Sequence, residues 1–340
     1  MRRRLVKENR PKVILYGLGP IGISTGKILA QRQSIEIVSA IEIADDKAGK
    51  DLGELLGIKA ARGITVSKTL GEAKNYGIAD VVVHTTSSFV ETVFPQLEEI
   101  ISGGMNCVSS TEELFFPILK APDATRKIDE LAKKYGVTVV GTGVNPGFVM
   151  DTLPLFLTGV CERVDEVHIQ RRVDASKRRL PLQKKVGATL DADEFYKRVE
   201  TGTLGHIGLR ESLQYLAVNL GWNLDDIEEQ VDPVISEKDI TTEYFHVKKG
   251  QVAGIKHIAR GFTNGKAVLS LDLRMYVGAE KSFDRITIGG NPSLEIEVKQ
   301  GTPGDIATAS ILANSVSLAM HADPGLINTK YPMWPHCEKL

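Results

Sequence analysis

Lys12–Gly22 reads KVILYGLGPIG, an apolar run cut off by glycines spaced G-x-G-x-x-G. Val13–Tyr16 has the composition of a short buried strand, and ISTGKILAQ after the last glycine has that of a helix. In that setting Gly17 makes the tight turn and Gly19 lets the backbone approach a pyrophosphate. Gly22 lets the helix pack closely on the strand, with its free N–H groups aimed at the phosphate. Pro20 and Ile21, inside the motif, join the glycines as cofactor-binding candidates. The stretch predicts a dinucleotide held by a mononucleotide-binding half.

The elements that follow fit that half. IEIVSAIE reads as a second buried strand ending at Glu42, 25 positions after Gly17. A carboxylate there suits the adenosine ribose hydroxyls and implies NAD, while nearby Lys47 could meet a 2′-phosphate, so NADP stays open. ADVVVHTTSS ends a further strand in small hydroxyls, and Thr85 and Thr86 are expected to line the cofactor. NCVSS is a fifth strand, with Ser110 as another cofactor candidate, and Thr111-Glu112-Glu113 emerges from its end. Hydride transfer needs a group to move the accompanying proton, and either carboxylate could serve. The helix ATRKIDELAKKYG and the strand VTVVGTGVNPG complete an alternation that means a parallel sheet with right-handed crossovers. Asn145, in the NPG turn, is a candidate partner of the nicotinamide carboxamide.

At NPGFVMDTLP the grammar changes. VDEVHIQRRVD, ITTEYFHVKK, VAGIKHIARGF, AVLSLDLRMYVG, DRITIGG and SLEIEVKQ include several with period-two alternation and turn residues at their ends, which predicts an antiparallel sheet. Helical stretches DADEFYKRVETG and HIGLRESLQYLAVNLGW interrupt it early. GDIATASILANSVSLAMHADPG is a long helix expected to return to the nucleotide domain. The expected fold is α/β, a Rossmann-type doubly wound parallel sheet plus an α+β domain with an antiparallel sheet. The expected division is a dinucleotide-binding domain over 1–148, joined by helix and tail 304–340, and a substrate-binding and dimerisation domain over 149–303. The cleft between them is the expected site.

Composition narrows the function classes. The 340 residues are 42% hydrophobic and 25% charged with a net charge of −1, which predicts a globular protein and gives no field favouring nucleic acid or an anionic membrane. No stretch is apolar enough to span a bilayer. The leading MRRR is followed by no apolar run, so a signal peptide is not expected. Cys107, Cys161 and Cys337 are far apart with no C-x-x-C spacing, which argues for a reducing, cytoplasmic setting and against a metal site.

Together SSTEELFFP, GTGVNPGFVMDTLP, VDASKRRLPLQKKVGA, GTLGHIGLRES and GDIATASILAN resemble the 2,4-diaminopentanoate dehydrogenases. These belong with the native amine dehydrogenases in a family whose N-terminal domain is like that of dihydrodipicolinate reductase. The resemblance runs over most of the chain. It implies reversible oxidative deamination of a primary amine to a ketone and ammonia with NAD or NADP, and a homodimer formed through the antiparallel sheet. It places the catalytic glutamate in the E-E-L segment, with Glu112, nearer the strand end, preferred and Glu113 expected to cap the next helix. A diamino acid would need a cationic partner for its remote carboxylate. Arg171, Arg172, Lys177, Arg178 and Arg179 are candidates, with arginine favoured because a guanidinium binds carboxylate in bidentate fashion, and Arg172 is taken as the substrate-binding residue. Gln183 and His206 join it as substrate-binding candidates because they lie in the family-like strings. A dihydrodipicolinate reductase would show a histidine pair with a following lysine, and a sugar-type oxidoreductase an E-K-P triplet after the fifth strand. Neither is present. A non-catalytic NAD sensor would keep the glycines and Glu42 but have no need of Glu112.

Overall fold

The computed structural model describes residues 10–176, 178 and 180–327. MRRR, Lys177, Arg179 and the tail KYPMWPHCEKL lie outside the described residues. Those described form two compact units, 10–144 with 304–327, and 145–303.

The first unit begins with β1 (Lys12–Tyr16), α1 (Pro20–Ala30), β2 (Glu36–Ile41), α2 (Leu52–Leu56), β3 (Val66–Ser67) and β4 (Val81–His84). It continues through α3 (Val90–Ser102), β5 (Asn106–Ser109), α4 (Pro122–Tyr135) and β6 (Thr138–Gly141). Unbroken apolar runs such as VVVH of β4 are buried along their whole length, as a sheet covered on both faces requires. Proline opens α1 and α4 where its missing N–H costs nothing, and Gly136 closes α4 at φ 69°.

The second unit contains α5 (Thr152–Leu157), β7 (Arg163–Asp174), α6 (Leu180–Lys185), α7 (Ala192–Glu200), α8 (Leu209–Asn219) and β8 (Asp226–Ile235). The short pair β9 (Ile240–Thr241) and β10 (His246–Val247) follows, then β11 (Val252–Thr263), β12 (Lys266–Tyr276), β13 (Phe283–Asn291) and β14 (Leu294–Lys299). The main sheet runs β14-β13-β7-β12-β11-β8. It is not wholly antiparallel, because its central neighbours β7 and β12 run parallel. Period-two alternation reveals which face of a strand is buried and says nothing about its neighbour's direction. Helices α6 to α8 separate β7 from β8, so β7 is not the hairpin partner of the next strand. The antiparallel run β8-β11-β12 joins the sheet through β12, and β13 pairs antiparallel with the other edge of β7.

The chain then returns to the first unit as α9 (Gly304–His321) and β15 (Gly325–Leu326). Leu312, Ala313, Val316 and Ala319 of α9 share a core with Val13, Leu15, Leu29, Val83, Val108 and Val140. The opposite face packs Val93, Leu97 and Ile100 of α3 and Ile128 of α4 against Ile14, Val82 and Val139. The parallel sheet therefore has helices on both sides, in the order β15-β6-β5-β4-β1-β2-β3. Connections run one way from β1 through β2 to β3 and the other way from β4 outward. That reversal opens a crevice at the carboxyl ends of β1 and β4, where doubly wound sheets bind ligands. Among the described residues, no helix is long and apolar enough to cross a membrane.

Candidate functional site

At the end of β1 the glycines do different jobs. Gly17 has φ +93°, and a Cβ there would meet the Thr85 carbonyl oxygen at 2.7 Å. A Cβ on Gly22 would lie 2.0 Å from the Gly17 carbonyl oxygen, so Gly22 allows the helix start to close onto the turn. The close packing of helix on strand, expected of Gly22, falls to Gly26, whose added Cβ would meet Leu15 at 2.8 Å. A Cβ on Gly19 meets nothing within 4 Å. Gly19 also caps α1 with no side-chain bond, and Pro20 occupies the first turn, so the N–H groups of the first turn have no side-chain cap. This cradle fits a pyrophosphate.

Glu42 stands at the end of β2 beside the turn. Its Oε2 accepts the Leu18 N–H at 2.8 Å and its Oε1 the Ala44 N–H at 3.1 Å, with Lys47 Nζ 3.9 Å away. The carboxylate is thus locked to the glycine turn itself.

Thr85 and Thr86 stand at the end of β4. The Thr85 hydroxyl donates to the Gly17 carbonyl at 2.8 Å, so this side chain holds the turn in shape. The exposed Thr86 hydroxyl donates to Gln96 at 2.7 Å. Ser110, beyond β5, pairs through its backbone N–H with the His84 carbonyl at 3.0 Å.

The two adjacent glutamates part company. Glu113 is buried; its Oε2 accepts the Val90 N–H at 2.9 Å and its Oε1 lies 2.6 Å from Lys120 Nζ. It caps α3, the preceding helix, rather than the following one as expected. Glu112 is half-buried, and among the described residues its carboxylate has no hydrogen-bonding or ionic partner. Both sit in a single 3₁₀ turn, Glu112–Phe115, that lies against Gly141, where a Cβ would meet the Leu114 carbonyl at 2.5 Å. Because β5 is two strands from β1, this turn stands about 10 Å along the same edge from the glycines.

Sequence reasoning passed over the polar side chains beneath that edge. His84 and Ser109, both fully buried, hydrogen-bond at 2.9 Å. Burial pulls the His84 imidazole down to about 4, so it is neutral near pH 7. A histidine closing an otherwise all-valine strand was the visible signal.

In the second unit three candidates share one property. Asn145 Oδ1, Arg172 Nε and His206 Nε2 are the buried side-chain nitrogen or oxygen atoms without a hydrogen-bond partner among the described residues. Leaving such an atom unpaired costs roughly 1–3 kcal/mol, so they mark places where a ligand or water is needed. Arg172 stacks its guanidinium on Phe283, 5.1 Å from the ring centre. The His206 backbone N–H donates to His257 Nδ1 at 3.4 Å, and His257 Nε2 lies 2.9 Å from Glu229 Oε1. His206 titrates well below its ordinary value, first because it is buried and then because Lys185, His257 and Arg171 surround it with positive charge. An anion is favoured there.

Other candidates are committed elsewhere. Gln183 is fully buried, with its amide hydrogens taken by the carbonyls of Ser176 at 3.2 Å and Arg178 at 2.8 Å, and its oxygen accepting from Thr242 at 3.0 Å. It holds the Ser176 and Arg178 carbonyls and has no hydrogen left for a substrate. Arg171 is buried against Asp284 at 2.8 Å and donates to the Thr302 carbonyl at 2.8 Å. Lys177 and Arg179 lie outside the described residues. Asp151, unremarked in the sequence, is fully buried. It accepts the Gly147 N–H at 2.9 Å and the Ser212 hydroxyl at 2.8 Å, tying the NPG turn to α8.

Comparison with known proteins follows the same division. A family model described as the 2,4-diaminopentanoate dehydrogenase C-terminal domain matches residues 148–337. Another, described as dihydrodipicolinate reductase, N-terminus, matches residues 11–143. The 2,4-diaminopentanoate dehydrogenase of Acetoanaerobium sticklandii is 32% identical over 327 residues, covering 93% of this chain and 91% of that relative. An amine dehydrogenase of Streptomyces virginiae is 20% identical, covering 92% of this chain and 93% of its own. The structure of an amine dehydrogenase from Mycobacterium smegmatis matches with a TM-score of 0.82 at 24% identity over 94% of each chain, which is a likeness of fold.

Proposed function

The chain belongs to the 2,4-diaminopentanoate dehydrogenase family and is an NAD(P)-dependent oxidoreductase acting on CH–NH2 groups, and on that premise we propose that its substrate is 2,4-diaminopentanoate. The C4 amine is oxidised to a ketone, giving 2-amino-4-oxopentanoate and ammonia, reversibly. The substrate ammonium, oxidised cofactor and water go to ketone, ammonium, reduced cofactor and a proton.

The observation that carries this reading is Glu112, a carboxylate without a partner among the described residues on the ligand-binding edge of the sheet, beside a glutamate whose own partners are already fixed. Glu112 pairs with the substrate ammonium and takes its proton, leaving the neutral amine that can lose hydride. The same carboxylate then moves protons as water adds to the oxidised carbon and ammonia leaves. When bound, NAD(P) supplies the hydride acceptor. Gly17, Gly19, Pro20, Ile21 and Gly22 hold its pyrophosphate and Glu42 its adenosine ribose, with Thr85, Thr86 and Ser110 along the same edge and Asn145 offering a free carbonyl oxygen to the carboxamide. The fixed Glu42 carboxylate accepts a ribose diol and repels a 2′-phosphate, so NAD is the preferred form. Arg172, His206 and nearby Lys185 favour an anion, which supports a carboxylate-bearing amine over a simple one. The proposed assembly is a homodimer through the sheet of the second unit.

Glu112→Gln tests the assignment. Turnover should fall by about a hundredfold or more while NAD still binds; a variant with wild-type kcat removes Glu112 from the mechanism.

A further inference from the structure

Beneath the carboxyl edge runs a buried polar chain that the proposed chemistry does not use. His84 closes β4 with no exposed surface. Its Nε2 lies 2.7 Å from Gln96 Oε1 and 2.9 Å from Thr86 Oγ1, and its Nδ1 lies 2.9 Å from Ser109 Oγ. Both imidazole nitrogens therefore have partners within hydrogen-bond distance. Ser109 Oγ accepts the Thr111 N–H at 3.2 Å and lies 3.0 Å from the Thr111 hydroxyl. That hydroxyl donates to the Ser87 carbonyl at 2.8 Å. On the other side of Glu112, the Glu113 N–H donates to the Ser88 carbonyl at 3.2 Å and the Glu113 carboxylate accepts from Val90.

The backbone of Glu112 is therefore clamped before and after, while its own carboxylate is left without a partner among the described residues. An apolar residue at 84 would close β4 as well and would need no satisfied partners. A buried network in which every member must be paired is costly to keep and rigidifies what it holds.

We propose that His84, Ser109 and Thr111 are positioning residues that fix the direction in which Glu112 is presented to the substrate. The inference rests on Glu112 being the proton-transfer group. Removing the Ser109 hydroxyl leaves the Thr111 N–H and His84 Nδ1 unpaired at the start of the turn, and a misplacement of about 1 Å at a reacting group can cost up to about a hundredfold in rate.

The test is steady-state kinetics and NAD titration of the full-length enzyme carrying Ser109→Ala, Thr111→Val, Thr111→Ser or Glu112→Gln. Ser109→Ala and Thr111→Val should each lose about tenfold or more in kcat, with KM and the NAD Kd within about twofold of wild type, and Thr111→Ser, which keeps the hydroxyl, should recover most of the rate. If Ser109→Ala does not fold, the Thr111 pair reads the same outcome. Wild-type kcat in Ser109→Ala and Thr111→Val beside an inactive Glu112→Gln overturns the inference and leaves Glu112 in place. A parallel loss of kcat and NAD affinity that Thr111→Ser does not restore means a merely structural network, and also overturns it. An active Glu112→Gln removes the reading on which the inference stands, and the inference with it.

Discussion

At the scale of single residues, adjacent identical side chains have opposite fates. Glu113 stabilises the fold: with its carboxylate removed, the Val90 N–H and Lys120 each lose this contact. Glu113→Ala should cost about 1–3 kcal/mol in urea unfolding while the folded fraction keeps its turnover within a few-fold. Glu112 was legible as a candidate from its place after the fifth strand. Which of the pair is free was not legible, because that depends on contacts made across the sheet to the start of α3. The substrate candidates divide in the same way. Gln183 lies in a family-like string yet spends its amide on the Ser176 and Arg178 carbonyls, whereas Arg172 and His206 keep buried atoms unpaired among the described residues. Arg172→Lys keeps the charge and loses the planar fork. It should raise KM for a carboxylate-bearing amine about tenfold and leave KM for a neutral amine unchanged.

Elements explain why the first half of the chain was readable and the second less so. A parallel sheet covered on both faces writes itself as uninterrupted apolar runs, each followed by a helix, so β1, β2, β4, β5 and β6 were visible directly. In the other sheet, alternation gave the strands but not their directions, and the parallel pairing of β7 with β12 follows from three helices placed between β7 and β8. The glycine turn makes its own prediction. Gly19→Ala meets open space and should leave Tm unchanged while weakening NAD binding about tenfold or more, equal to roughly 1.4 kcal/mol. Gly22→Ala drives a methyl into the Gly17 carbonyl and should lower stability by about 1–3 kcal/mol before any cofactor is added. The carboxyl edge should also be sensitive to acid. Burial lowers the His84 value to about 4 from 6.5, so the unfolded chain binds the proton more tightly. The His84 contribution is fully present above pH 6.5 and is lost progressively as pH falls toward 4, by roughly 2 kcal/mol between pH 7.5 and 5. His206 shifts in the same direction. Urea midpoints at the two pH values measure the sum.

For the whole molecule, family membership fixes the reaction class, and the proposed preference among amines rests on Glu112 for the ammonium and Arg172 for a carboxylate. The chain supplies the first unit from both ends of its sequence, so α9 completes the core beneath the glycine turn. Cutting Leu312 back to alanine, fully buried there, should cost about 2–5 kcal/mol, read as a lower Tm with or without NAD. The proposed homodimer should appear in sedimentation as a species of twice the mass of the 37.1 kDa chain. The most direct measurement follows NADH and NADPH formation from 2,4-diaminopentanoate, small aliphatic amines and common amino acids under identical conditions. Rapid NADH formation with 2,4-diaminopentanoate, weaker turnover of the neutral amines and slower reduction of NADP are the expected result; no reduced cofactor with any amine would contradict the central claim.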